Sequence, residues 1–80
     1  MYWLRANISD GLFPSECTVA LKTEDGEMQV FVAKQQVNDA RNAVKVYVLD
    51  QNDTFALIQL PSQGGGSVAK VAKAGVLSPV

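Results

Sequence analysis

Cys17-Thr18-Val19-Ala20-Leu21-Lys22-Thr23-Glu24-Asp25-Gly26-Glu27-Met28-Gln29-Val30-Phe31-Val32 is the stretch that decides the fold. Cys17, Val19 and Leu21 alternate with Thr18, Ala20 and Lys22. A two-residue period puts one dry and one wet face on an extended chain. Asp25-Gly26 then interrupts the alternation, and an Asp-Gly pair between two alternating runs is the strongest short-range signal for a hairpin. The returning strand runs from Glu27 to about Ala33 and is apolar on both faces at its far end, at Val30, Phe31 and Val32.

The same period extends outward from this hairpin. Upstream, Tyr2, Leu4, Ala6 and Ile8 alternate with Trp3, Arg5, Asn7 and Ser9, which predicts a first strand with one apolar face. Asp10-Gly11-Leu12-Phe13-Pro14-Ser15 is turn chemistry that ends it. Downstream, Ala33, Val37, Ala40 and Val44 fall on a helical stripe, but Asn38, Asp39 and Asn42 are poor helix-interior residues. One helical turn and a loop are expected there. A fourth strand follows from about Val44 to Leu49, then a polar turn at Asp50-Gln51-Asn52-Asp53 and a fifth strand from Thr54 to Leu60. Pro61 to Gly66 reads as a loose connection, Ser67 to Val71 as a sixth strand, and the remainder as a short turn and an extended tail to Val80. The alternative for the C-terminal segment is a helix capped by Ser67, with Val68, Val71, Ala72, Gly75 and Val76 on one stripe and Lys70 and Lys73 facing water. Valine, with 11 copies against two isoleucines and seven leucines, favours strands.

Val-Ala-Lys-x-x-Val occurs twice, at Val32 to Val37 and at Val71 to Val76, 39 positions apart. The same offset pairs Gly26 with Gly65, Leu21 with Leu60, and Val19 with Ile58. Dropping one residue near Asp53 aligns Leu4, Ala6 and Ile8 with Val44, Val46 and Val48, and Asp10 with Asp50. Two structural repeats of about 40 residues are therefore expected, each reading strand, turn, strand, hairpin, strand, helical turn. Six short strands with one apolar face each need a cover for their faces and protection for their edges. The expected fold is all-β (mainly β): residues 1–80 form a single domain, a small six-stranded SH3-like barrel or bent sheet with one or two helical turns. The SH3 comparison is fold-level analogy and rests on no signature motif.

Composition narrows the chemistry. The chain has no histidine and one cysteine, Cys17. That excludes a histidine base, an intrachain disulfide and a zinc site built on cysteines. No cofactor and no metal are expected. Net charge is −1, which gives no polybasic footprint for nucleic acid or an anionic membrane. No apolar run approaches the ~20 residues that cross a bilayer, and no signal peptide pattern is expected. A cytoplasmic setting is expected, because a small chain with no disulfide framework fits a reducing compartment.

Trp3 and Arg5 on the first strand, and Lys45 and Tyr47 on the fourth, alternate away from the apolar face. Aromatic and cationic side chains together suit contact with a protein or a single-stranded nucleic acid. The plainer reading places Trp3 under the C-terminal tail or in a subunit interface. Lys34, Lys70 and Lys73 with Arg5 and Lys45 could build a basic face, whereas residues 10–27 carry five acids and one lysine. Gly64-Gly65-Gly66-Ser67 before Lys70 faintly suggests a phosphate cradle but lacks the P-loop pattern and reads as a hairpin loop. Asp50, Asn52 and Asp53 lack the rest of a calcium loop and read as a turn. Cys17 is expected to be a buried small hydrophobe.

The sequence thus predicts a non-catalytic protein-interaction or adaptor module rather than an enzyme. Its expected partner is another protein or a second copy of itself, forming a homodimer or larger homo-oligomer. The alternative is a small barrel that binds single-stranded nucleic acid through Trp3, Arg5, Lys45 and Tyr47. No membrane partner is expected.

Overall fold

A computed structural model describes residues 1–61 and 66–80. The 16–33 hairpin forms as its alternation requires. Strand β3 (Glu16–Thr23) and strand β4 (Gly26–Ala33) pair antiparallel from Glu16↔Ala33 to Thr23↔Gly26. Cys17, Val19 and Leu21 are buried while Lys22 is exposed. At the turn, Gly26 has φ 119°, a value that side-chain-bearing residues rarely adopt. The Thr23 hydroxyl closes the turn by donating to the Gly26 carbonyl at 2.7 Å and accepting from the Asp25 N–H at 3.2 Å.

The first expected strand is two. Strand β1 (Tyr2–Arg5) and strand β2 (Asn7–Asp10) are one path bent at Ala6. The Ala6 N–H leaves the ladders and donates to the Asn42 carbonyl at 2.9 Å. On one side of this corner β1 pairs with other strands, and on the other side β2 pairs with β3, from Asn7↔Ala20 to Asp10↔Cys17. Leu4 and Ala6 are buried and Ile8 packs against the core, but Tyr2, at the strand's start, is exposed.

After β4 the expected helical turn and loop resolve into a 3-10 turn η1 (Lys34–Gln36), a two-residue strand β5 (Val37–Asn38) and a second 3-10 turn η2 (Asp39–Arg41). The Asn38 side chain accepts the Arg41 N–H at 3.3 Å, and Asn42 ends the turn in the left-handed region at φ 51°. The asparagines that argued against a helix therefore cap and end this turn. Strand β6 (Ala43–Gln51) is longer than expected and carries an irregularity between Val48 and Asp50. Asn52 organises the following turn by accepting the N–H groups of Thr54 and Phe55 at 2.8 Å each. Strand β7 (Phe55–Gln59) follows.

The C-terminal helix does not form. Strand β8 (Val68–Ala72) alternates strictly, with Ala69 and Val71 buried and Val68, Lys70 and Ala72 exposed. A 3-10 turn η3 (Lys73–Gly75) leads into strand β9 (Val76–Pro79), so the expected tail is a ninth strand. Both Val-Ala-Lys segments thus run from a strand end through a 3-10 turn into a new strand.

All pairings are antiparallel. One sheet has the order β8-β7-β6-β1-β9 with β5 also on β6, and the other has the order β2-β3-β4. The molecule is mainly β, as expected, with nine strands rather than six among the described residues. The ladders do not close into a ring. Beyond the ladders, Glu24 in the turn after β3 donates its N–H to the Lys70 carbonyl of β8 at 3.0 Å. Leu4, Val19, Val44, Val46, Ile58 and Leu60 lie fully buried between the sheets. Burying each such side chain contributes ~1.5–3 kcal/mol. No helix among the described residues is long and apolar enough to cross a membrane.

Candidate functional site

Alternation on β4 sends Val32 into the core and Phe31 out, opposite Thr18. Alternation on β6 likewise sends Val46 in and Tyr47 out, opposite Gln59. Phe13 lies in the loop between β2 and β3. That loop is tied by three backbone bonds, Gly11 N–H to Glu16, Glu16 N–H to Phe13 and Lys34 N–H to Ser15, at 3.2, 3.1 and 3.0 Å. Gly11 is needed there, because a Cβ at this position would meet the Glu16 carbonyl oxygen at 2.8 Å.

These three elements converge. Phe13, Phe31 and Tyr47 line one open groove of about 920 Å³ between β4 with η1 on one side and the β6–β7 pair on the other. The three rings are 65%, 51% and 50% exposed, large values for side chains that usually carry their area into a core or an interface. Gln35, Gln36 and Gln59 supply amide donors and acceptors along the walls, and among the described residues Glu16 is the one charged side chain of the lining.

The four residues singled out by sequence lie on one face of the β1–β6 pair but do not form one cluster. Trp3 stands directly opposite Lys45, whose Nζ is 5.7 Å from the ring centroid, a cation–π distance. Trp3 is half-buried. Tyr47 lies at one end of this face and belongs to the aromatic groove. Arg5, opposite Ala43, lies at the other end and lines a smaller cleft of about 300 Å³ with Leu4, Leu21, Lys22, Val71 and Gly75. Sequence reading missed Phe13 and Phe31. The signal for Phe31 was present, since an aromatic between two inward valines on a strand must face outward.

The basic face is partly consumed. Lys70 Nζ is 3.1 Å from Glu24 Oε2 and 4.4 Å from the Phe55 ring centroid, so it ties β8 to the hairpin and to β7. Cys17 is buried, as expected. The turn expected at Asp50 to Asp53 is shorter, because Asp50 and Gln51 continue strand β6 opposite Leu57 and Ala56 and only Asn52 and Asp53 leave it, and no group of three or more metal-ligating side chains occurs among the described residues. Gly64 and Gly65 of the expected glycine cradle lie outside the described residues. Comparison of the chain with protein-family models, curated proteins and solved structures gave no match.

Proposed function

We propose that this chain is a non-catalytic interaction module that holds a polypeptide segment in the Phe13–Phe31–Tyr47 groove. The observation that carries the reading is the convergence of three exposed aromatics, from a loop and two separate strands, on one groove with a single charge. Aromatic anchors of this kind dominate the energetics of protein contacts. A photo-crosslinking amino acid placed at Phe31 in the source cell tests it. A cross-linked polypeptide is the expected product, and cross-linking only to nucleic acid, or to nothing, refutes the reading.

Self-association is part of the proposal. Half-buried Trp3 gives one face of the central sheet an aromatic anchor that a second copy would cover. A cytoplasmic setting fits a chain whose one thiol is buried and unpaired.

We infer also that the chain is a duplicated unit of about 40 residues, arranged as a barrel-like enclosure left open at two seams. Register supports this. Glu16↔Ala33 becomes Phe55↔Ala72 on a shift of 39 positions, and both pairs form. Val37 lies opposite Val44 as Val76 lies opposite Leu4, so each unit's last strand pairs with the other unit's first. The aromatic groove and the Arg5 cleft then occupy equivalent places. Tyr47, Gln59, Leu60 and Val32 in the first correspond to Asn7, Ala20, Leu21 and Val71 in the second.

The second reading, single-stranded nucleic acid, is favoured by one observation, the Lys45–Trp3 pair on an outward face with Arg5 and Tyr47. Base stacking on Trp3 with phosphate held by Arg5 and Lys45 would be its mechanism. The acid in the groove and the net charge of −1 weigh against it.

A further inference from the structure

Strand β4 ends its sheet, with β3 on one side and, among the described residues, no further strand on the other. The parity of its hydrogen bonds follows from one contact. Lys34 N–H donates to the Ser15 carbonyl, one step beyond Glu16↔Ala33 in the same register. In an antiparallel pair, bonded and non-bonded positions alternate. Met28, Val30 and Val32 therefore bond to β3, while Glu27, Gln29 and Phe31 turn N–H and C=O to the other edge. Among the described residues those three make no backbone bond beyond the ladder.

Exposed edges are normally guarded by shortness, proline, lysine or a cover. The other edges here are. Strands β2 and β9 have four residues and β5 has two, and β9 carries Pro79. Strand β8 has Lys70 and is bonded by Glu24. Strand β4 has eight residues, no proline, no lysine and no bulge, and its free edge opens beside the aromatic groove.

We propose that the groove takes its ligand as an added β-strand, an extended segment of a partner protein paired antiparallel or parallel to Glu27–Phe31 of β4. Main-chain bonds to Glu27, Gln29 and Phe31 give affinity, and alternate side chains reach Phe31, Phe13 and Tyr47. Glu16 in the groove and Glu27 on the edge select a segment with a lysine or arginine and no acid. The inference rests on the groove being the binding site and adds the mode of binding and the charge of the partner.

Amide hydrogen exchange on the whole chain tests it, with the peptide acetyl-Lys-Val-Thr-Val-Thr-Val-Thr-amide at millimolar concentration as probe. In the free protein the Glu27, Gln29 and Phe31 amides should exchange fast, and Met28, Val30 and Val32 slowly. Peptide should slow Gln29 and Phe31 by roughly tenfold or more. A peptide N-methylated on alternate residues should not. Gln29→Pro removes an edge-facing N–H that the β3 ladder does not use, so it should abolish the protection, and slow Met28 and Val30 amides show that the β3–β4 ladder has survived the fixed proline φ. Slow Gln29 and Phe31 amides in the free monomer overturn the proposal, because the chain would then cover its own edge. So does protection that grows with protein concentration without peptide, which would make a second copy the occupant. Perturbation of the Phe13, Phe31 and Tyr47 rings without amide protection overturns strand addition but leaves the groove as the binding site. No response of any kind overturns strand addition, and the cross-link at Phe31 then decides the groove separately.

Discussion

Leu4→Ala probes whether the two sheets share one core. Leu4 is 2% exposed, pairs with Val44 on one side and Val76 on the other, and lies at the edge of the bend into the second sheet. The substitution removes three carbons. At ~0.8 kcal/mol per carbon the transfer loss is ~2.4 kcal/mol, and the cavity left behind brings the expected cost into the range of ~2–5 kcal/mol. Stability for a chain of this length is ~4–12 kcal/mol, so about 3 kcal/mol is a large share of it. Each kcal/mol moves the melting point of a domain this small by ~4–8 °C, which predicts a fall of roughly 12–24 °C. Thermal melts followed by Trp3 fluorescence and by far-ultraviolet circular dichroism should show the fall together. Leu57→Ala, on an exposed side chain, serves as the control and should cost under ~1 kcal/mol. Val44→Ala combined with Leu4→Ala should depart from additivity by ~0.5 kcal/mol or more, because the two residues face each other across the β1–β6 ladder. A fall below about 5 °C for Leu4→Ala alone, under ~1 kcal/mol at the same conversion, would refute a core continuous across the bend.

Gly11→Ala should destabilise by ~1–3 kcal/mol, measured by thermal melting, because its Cβ would press on the Glu16 backbone and loosen the loop that presents Phe13. Glu24→Gln should cost at most ~0.5 kcal/mol and less at high salt, since both partners of the Lys70–Glu24 pair are 47% exposed; urea titration at two salt concentrations reads this. Light scattering at micromolar concentration should give a mass above 8.6 kDa, and Trp3→Glu should shift it toward the monomer; an unchanged mass would clear Trp3 of an interface role. Titration with single-stranded RNA at low and high salt should show no salt-dependent binding, and a steep salt dependence would instead favour the Trp3–Lys45 face.

Much of the fold is written in local pattern. The hairpin at Asp25-Gly26, the alternation of β3 and β6 and the turn at Asn52 all follow from side-chain period and turn chemistry. The C-terminal strand was ambiguous because alanine and lysine suit helices, and it was decided by Ala69 and Val71 finding a common buried face. The bend at Ala6 was invisible, since Tyr2 to Ser9 alternates without a break and only the distant Asn42 carbonyl divides it. The irregularity between Val48 and Asp50 was likewise not legible, since Val44 to Leu49 alternates without a break. For the site, Tyr47 was legible by alternation, while its meeting with Phe13 and Phe31 depends on how the two sheets stand against each other. No local period encodes that.

The pairing of β1 with β9 bears on synthesis. β9 sits on β1, so β1 is completed by a strand that lies far along the chain from it. A nascent chain emerging from the ribosome cannot finish β1 until Val76–Pro79 has left the exit tunnel, and contacts so far apart in sequence make for slow, late closure. A stalled chain would expose the vacant side of β1 to whatever strand arrives first, including the same segment of its neighbour on a polysome.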